Sequence, residues 1–398
     1  MAGAFAFLLF GYEMVRGPSN ALYMKAYGPQ NLGLILTVTP PLLAALLFGY
    51  NLCLSRLGAR KTLAAAGLFS TAALALLRVP AAGNGAWAPA ALYFIRQAYV
   101  VVLIEQYWSF LDSRLSPETA RRANGVMTGI GSLGGVLGGY LLGRFSSRLT
   151  ISDWILGSAL CTLAAGAFAD AAYHVGGEPR AETPAAGSGS RALGLGSFLR
   201  EPLLLRLLLL VGISQAFAVI VDLRFQTAVF TAIPGMDAQA AYYGRYYSLL
   251  NAGTFFLQFA VTPLALSRLA PGRIQAAIPA VHVGLGVWAL LHPSLSSCAA
   301  AYLAFKSVDY SLFRSSKEIF YMGLSFDARY RAKELIDILV YRFGKGSTAF
   351  LIAVLQRAGI MTIAIFSWSA LAGGLAWMGL ALPLAWPSRR DRRPQPSS

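Results

Sequence analysis

Long apolar stretches, separated by short polar connections, run along almost the whole chain. Twelve of them are each close to the roughly 20 residues that an α-helix needs to cross a bilayer. We therefore expect an all-α membrane protein with 12 transmembrane helices. The predicted spans are residues 3–24, 31–54, 62–79, 88–111, 123–143, 153–173, 204–230, 241–266, 274–291, 295–316, 335–356 and 362–385.

A polar, turn-prone segment interrupts this pattern between the sixth and seventh spans. It contains GGEPRAETPAAGSGSRALGLGS, which is too rich in Gly, Pro and Ser to pack as a helix. The sequence thus predicts an N-terminal six-helix half, a cytoplasmic linker, a C-terminal six-helix half and a basic cytoplasmic tail. Their predicted bounds are 1–173, 174–200, 201–386 and 387–398.

The two predicted halves repeat short motifs at corresponding places. Leu-Ser-Arg-Leu at 54–57 returns at 266–269, and Asp-Ser-Arg at 112–114 returns as Asp-Ala-Arg at 327–329. Repeats in register at similar offsets indicate duplication. Two duplicated six-helix halves, with a basic connection GYNLCLSRLGARK after the second helix, resemble the major facilitator superfamily. That resemblance implies a cavity lined by the first, fourth, seventh and tenth helices.

Composition excludes a soluble protein and locates the positive charge. The 398 residues are 56% hydrophobic and 13% charged, with a net charge of +16. More than half of the 33 Lys and Arg residues fall in the connections on one side of the predicted membrane and in the tail, which indicates that both termini are cytoplasmic. We expect a bacterial inner membrane protein whose tail contacts anionic lipid, with no nucleic-acid partner.

Cysteine and histidine give no sign of a cofactor. The three Cys residues lie in apolar stretches without a Cys-x-x-Cys motif, and the three His residues are scattered. We expect no disulfide, no metal and no cofactor.

Charged residues inside the apolar stretches are the strongest functional signal. Each would cost about 2.5–3.5 kcal/mol at the middle of a bilayer, so it needs a partner or a wet cavity. Cations outnumber the anions, which predicts a positive cavity that attracts anionic solutes. Besides Glu13, the residues are Arg16, Arg96, Glu105, Asp222, Arg224, Arg245, Lys306, Asp309, Asp337, Arg342 and Lys345.

Two roles remain open for these charges. They could pair with one another only to fix helix packing, or the cations could bind phosphate or carboxylate, which Arg grips with two parallel hydrogen bonds. The role of the sequence Gly17-Pro18 beside Arg16 is also open. It predicts either a helix break facing a solute or a packing kink.

The stretch 306–348 resembles the ATP/ADP translocases of plastids and obligate intracellular bacteria. It contains YSLFRSSKEIFYMGL and RFGKGST, which are similar to the Lys-Glu-x-x-Tyr and Arg-x-Gly-Lys patterns of that family. EQYWSFLDSRLSPETARRANGVMTGIGSLGG at 105–135 and Asp222 in IVDLRFQ extend the resemblance. It implies exchange of nucleotides and adds Lys317 to the substrate-binding candidates.

The sequence favours a secondary transporter that moves an anionic solute, with ATP and ADP as candidates, and that performs no chemistry on it. Two alternatives stay open: a permease for another anionic metabolite or drug, and a non-transporting membrane partner with a degenerate transporter fold. Gln226 stands where the resembling family has a lysine, and Gly17, Ser19 and Asn20 stand in its first-helix charge pattern. The substrate, the coupling and the oligomeric state are left open.

Overall fold

The computed structural model consists of helices throughout its described part. These residues are 1–83, 85–115, 117–177, 202–322, 336 and 340–386. They contain twelve long helices and no strand, which confirms the predicted class. In chain order the helices are α1 Ala2–Tyr27, α2 Leu32–Leu57, α3 Ala59–Ala82, α4 Ala88–Arg114, α5 Pro117–Phe145, α6 Ile151–Gly176, α7 Pro202–Ala232, α8 Met236–Arg268, α9 Pro271–Leu291, α10 Leu295–Met322, α11 Tyr341–Arg357 and α12 Ile363–Ala385.

Two of these helices contain a π-helical turn. In α8 it covers Leu257–Val261, and in α10 it covers Asp309–Phe313. A π turn inserts one residue into the α-helical ladder and frees backbone groups, and such turns are frequent at functional sites. The turn in α10 begins three residues after Lys306.

Nine of the described helices are long and apolar enough to cross a membrane. The three that do not meet this criterion are α1, α10 and α11. Charged residues interrupt α1 and α10, and the described part of α11 has only 17 residues. These are three of the helices that carry the predicted intramembrane charges.

The chain forms two compact units. The first contains Met1–Gly187 and Val229–Phe255, and the second contains Ser188–Ala228 and Phe256–Ser398. Residues 229–255 therefore group with the first unit, although the predicted division assigns them to the C-terminal half. The division at 174–200 stays a prediction, because most of that segment, like the tail from 387, lies outside the described residues.

Glycines of α5 allow very close helix packing in the first unit. A Cβ on Gly134 or Gly138 would lie 2.3 or 2.2 Å from the carbonyl oxygen of Ala6 or Phe10 in α1. On another face, a Cβ on Gly139 would lie 2.8 Å from the carbonyl oxygen of Gly244 in α8. Small residues let helix backbones approach in lipid. This contact explains why the first half of α8 groups with the first unit.

The second unit is built around α9. It packs against α12 and α10, and a Cβ on Gly272 would lie 1.9 Å from the carbonyl oxygen of Leu384 in α12. Gln275 of α9 donates hydrogen bonds from Nε2 to the Phe313 carbonyl at 3.1 Å and to Ser316 Oγ at 2.9 Å. A buried amide side chain thus holds the end of the π turn in α10.

Candidate functional site

The first unit contains a buried carboxylate that is shared by two helices. Glu13 of α1 is only 4% exposed, and its Oε1 accepts a hydrogen bond from Arg16 Nη1 at 3.0 Å. The same oxygen accepts a hydrogen bond from Asn251 Nδ2 of α8 at 3.0 Å. Arg16 lies one helical turn after Glu13, so the pair forms within α1. The carboxylate thus links α1 to α8.

The Arg16 guanidinium lies on the ring of Tyr247, with 3.5 Å between the guanidinium carbon and the ring centroid. A cation on an aromatic face is stabilised by the ring quadrupole. The Tyr247 hydroxyl accepts a hydrogen bond from Asn20 Nδ2 at 3.1 Å. Tyr247 is 1% exposed, so it packs inside the first unit against Arg16 and does not lie at a membrane interface.

Arg96 of α4 completes this network. Its Nη1 donates to Asn20 Oδ1 at 2.9 Å and to the Arg16 carbonyl at 3.2 Å, and its guanidinium carbon lies 4.3 Å from the centroid of the Tyr93 ring. We call the set Glu13, Arg16, Asn20, Arg96, Tyr247 and Asn251 the first-unit network. Its cations are engaged by a carboxylate, an amide, a carbonyl and aromatic rings of the protein itself.

The helix does not break at Gly17-Pro18. α1 continues from Ala2 to Tyr27 with Pro18 inside it, so the predicted half-helix terminus is wrong. Proline removes the hydrogen bond to the carbonyl four residues earlier and its ring crowds that carbonyl, but the helix continues beyond it here. Gly17 serves close packing instead, because a Cβ there would lie 3.0 Å from the Tyr243 Cβ and 3.2 Å from the Ala240 carbonyl oxygen of α8.

The second unit places two lysines among tyrosines. Lys306 is 8% exposed, and its Nζ lies 3.5 Å from the Tyr310 hydroxyl and 5.8 Å from the centroid of the Tyr302 ring. Lys345 of α11 places its Nζ 3.4 Å from the Tyr341 hydroxyl and 4.4 Å from that ring's centroid. Each pair spans one helical turn, so the helix itself sets each ammonium beside a phenol.

The two ammonium groups belong to one electrostatic cluster. Lys345 interacts electrostatically with Lys306, and both interact with Asp222 of α7 and Asp309 of α10. Among the described residues neither lysine forms an ion pair with a carboxylate. The set Asp222, Lys306, Asp309, Tyr310, Tyr341 and Lys345 is the lysine cluster below.

Two other predicted residues of this unit, Arg224 and Lys317, have separate environments. Arg224 of α7 is buried and donates from Nη2 to the Ala289 carbonyl at 2.9 Å, which ties α7 to the end of α9. Lys317 is buried, with its Nζ 5.6 Å from the centroid of the Tyr321 ring. Asp337 lies outside the described residues, and Arg342 is described only as part of α11.

The remaining predicted residues of the first unit lie apart from its network. Glu105 and Arg245 are both exposed. The backbone and Cγ of Arg245 pass against Gly143 of α5, where a Cβ would lie 2.5 Å from Arg245 Cγ. Of the predicted residues in this unit, the structure therefore brings together only Arg16 and Arg96. No group of three His, Cys, Asp or Glu that could hold a metal occurs within the described part of the chain.

Sequence reasoning missed several uncharged members of these sites. Asn251 and Tyr247 bind α8 to the charges of α1, and Gln275 holds the π turn in α10. An amide or phenol inside an apolar stretch carries no strong signal in a sequence. The four-residue spacing of Tyr243 and Tyr247, which stack with ring centroids 5.8 Å apart, was the available hint.

Residues 292–386 match the family model of the TLC ATP/ADP transporter. This match confirms the resemblance for the region that contains Lys306, Asp309, Lys317 and Lys345. No curated protein sequence matches the chain. The matched region covers α10, α11 and α12.

The whole chain is similar in fold to solved transporters of major facilitator type. The nucleoside transporter NupG has a TM-score of 0.62 at 15% identity and covers 96% of this chain and 97% of its own. The POT family transporter PepTSo has a TM-score of 0.66 at 12% identity, with 97% and 98% covered. The E. coli fucose:proton symporter FucP has a TM-score of 0.52 at 16% identity, with 95% and 97% covered. The protein therefore has the fold of a multi-pass membrane transporter.

Proposed function

We propose that the protein is a secondary transporter that moves an anionic solute by alternating access, with a nucleotide of the ATP/ADP type as the first candidate. The observation that carries the proposal is the lysine cluster, which lies partly within the family match at residues 292–386. The fold alone does not choose a substrate, because its solved neighbours are named for nucleosides, peptides and fucose.

The lysine cluster is suited to a phosphate or carboxylate group. Two ammonium groups interact there in a buried environment, where attraction to an anion is stronger than in water. Tyr310 and Tyr341 keep each ammonium oriented through hydroxyl groups, which can also donate to an anionic oxygen. Asp222 and Asp309 offset part of the positive charge when no anion is present.

Arg342 and Asp337, which the sequence adds to this site, stay predictions. So do the substrate-binding roles of Arg16, Arg96, Glu105, Arg224, Arg245 and Lys317. We place the protein in a bacterial inner membrane with both termini cytoplasmic, because its Lys and Arg residues concentrate on one side of the predicted membrane. In this proposal the protein binds and releases its solute unchanged, so it is not an enzyme.

Ligand binding can be tested on the purified protein by thermal shift against ATP, ADP, GTP, NAD, phosphate and simple carboxylates. A ligand that binds the native state raises the melting temperature by mass action. We expect a shift with a nucleotide, followed by saturable, counter-substrate-dependent uptake in liposomes. A thermal shift only with other anions would support the transporter but would replace the nucleotide as its proposed substrate.

Lys306→Ala and Lys25→Ala form a matched pair for this test. Lys25 is an exposed lysine at the end of α1 and belongs to neither charged set. We expect the ligand shift to be lost in Lys306→Ala and kept in Lys25→Ala. If no ligand of the panel shifts the melting temperature of the wild-type protein and no uptake is seen, the non-transporting membrane partner would be favoured.

A further inference from the structure

An apolar cavity lies among α2, α3 and α4, and none of its lining residues belongs to either charged set. Its volume is about 250 Å³. One apolar side chain of its lining, Phe69 of α3, is 62% exposed on the outer surface. In a membrane protein such a surface faces acyl chains. The lining includes Leu46, Tyr50, Cys53, Thr62, Ala65 and Phe69.

Three hydroxyl groups of the cavity wall, those of Tyr50, Thr62 and Tyr99, have no hydrogen-bond partner within the described residues. Thr62 is 2% exposed, and its Oγ1 makes no hydrogen bond within the described part of the chain. The buried Tyr50 hydroxyl is in the same situation. Buried hydroxyls without a partner are costly, which indicates that a ligand with hydrogen-bonding groups satisfies them.

Basic residues stand at one end of the cavity. Arg56 follows Cys53 by three residues on α2, and Lys61 precedes Ala65 by four on α3, so each shares a helix face with a lining residue. Side chains tilt toward the N-terminus of their helix, so Lys61, near the start of α3, leans toward the membrane boundary. Neither Arg56 nor Lys61 has a hydrogen bond or ion pair among the described residues.

The third cation of this connection is already engaged. Arg60 donates from Nε to Asp170 Oδ1 of α6 at 2.7 Å and from Nη2 to Oδ2 at 3.2 Å. The connection between α2 and α3 therefore places Arg56 and Lys61 toward the membrane boundary, while Arg60 binds the connection to α6. Ser55 stands beside them and adds no negative charge.

We propose that this cavity binds one anionic glycerophospholipid. An acyl chain fills the apolar part, the glycerol ester oxygens accept hydrogen bonds from Thr62 and Tyr50, and the phosphate pairs with Lys61 and Arg56. The spacing fits, because Tyr50 lies six residues before Arg56, roughly 9 Å deeper along α2 at 1.5 Å per residue. The polar and charged groups thus follow the order of groups along a phospholipid.

The headgroup sets the selectivity of this site. A lipid tail loses no hydrophobic stabilisation when it leaves the bilayer, so the tail gains only packing contacts in the cavity. The charge on Lys61 and Arg56 then distinguishes an anionic phospholipid from a zwitterionic one. Binding of this lipid is independent of the transported solute.

Native mass spectrometry of the full-length protein can test the site with phosphatidylglycerol and phosphatidylcholine of equal chain length. We expect phosphatidylglycerol to be retained at least threefold more than phosphatidylcholine. Ala65→Trp, which fills the cavity from its rim, should lower retention of both lipids. Ala64→Trp is the matched control, because Ala64 is equally exposed on α3 but does not line the cavity. Arg56→Gln with Lys61→Gln should remove only the preference.

Cys53 gives a readout that needs no variant. It is exposed and lines the cavity. Phosphatidylglycerol should slow its modification by a maleimide, mapped by peptide mass spectrometry, whereas inorganic phosphate at the same concentration should not. Equal retention of the two lipids by the wild-type protein, or equal retention by Ala65→Trp and Ala64→Trp, would overturn the proposal. Protection by inorganic phosphate would show a free-anion site instead.

Discussion

The first-unit network and the lysine cluster both contain cations and carboxylates, but their cations have different partners. In the network, Arg16 and Arg96 are engaged by Glu13, Asn20 and aromatic rings of the protein. In the cluster, Lys306 and Lys345 contact phenol hydroxyls and interact with carboxylates only at longer range. A charge within the membrane therefore marks a binding site only when the protein leaves it available. We infer from this difference that the network mainly holds helices together, whereas the proposed binding role rests on the cluster.

Removing the shared carboxylate should have the largest effect. Glu13→Ala leaves Arg16 buried without its ion-pair partner, and breaking a buried pair costs about 3–5 kcal/mol of stability. We expect a strongly lowered melting temperature in detergent and a matching loss of folded protein. Glu13→Gln keeps an acceptor for Asn251 and should be milder. Lost uptake with unchanged melting in both variants would place the network in the binding site and contradict the comparison.

Removing either clustered lysine should affect transport and spare the fold. Lys306→Ala and Lys345→Ala each remove a charge-assisted contact to the anion, worth about 1.5–3 kcal/mol. That corresponds to a roughly 10- to 100-fold weaker apparent affinity in liposome uptake. Membrane insertion and melting should stay close to the wild type, as in Lys25→Ala. Normal uptake by both variants would remove the cluster from the site.

Loosening the π turn should have a smaller effect that reaches the cluster indirectly. Gln275→Leu removes the donor to the Phe313 carbonyl, so this buried carbonyl oxygen loses one hydrogen bond. We expect a stability loss of about 1–3 kcal/mol and a raised half-saturation concentration, because Asp309 and Tyr310 of the cluster lie in the turn. Gln275→Glu, which keeps the shape but not the donor, is the control. An unchanged half-saturation concentration in both variants would show that the π turn does not affect solute binding.

Removing one hydroxyl from the network should have the smallest effect. Tyr247→Phe keeps the ring on Arg16 and loses only the hydrogen bond from Asn20, which contributes about 0.5–1.5 kcal/mol. A slightly lowered melting temperature with normal uptake is expected. Uptake reduced tenfold with unchanged melting would instead mean that the hydroxyl contacts the solute.

Hydrophobic length alone determined the architecture. Stretches of about 20 apolar residues have few alternatives to transmembrane helices, since a bilayer leaves no water to satisfy an extended backbone. Charged residues in those stretches are costly enough to be visible without a structure. Thus α10 and the first part of α11 were identified as unusual from Lys306, Asp309 and Lys345.

Local sequence was less informative where partners come from distant segments. Gly17-Pro18 predicted either a break or a packing kink, and α1 runs through it without a break where α8 packs closely against Gly17. Arg224 looked like a binding residue, although its described hydrogen bond goes to the Ala289 carbonyl. A composition count gives the number of cations but not which of them are already engaged.

The sequence by itself determined that this chain is a twelve-helix membrane protein with charged helices, because helix length and the cost of buried charge are properties of single segments. Only the tertiary structure decided which charges meet. Asn251 lies 238 residues from the carboxylate that it contacts, and Lys306 and Lys345 come from different helices. Such contacts depend on how close α1 and α8 or α10 and α11 approach, and that distance is set by packing between segments.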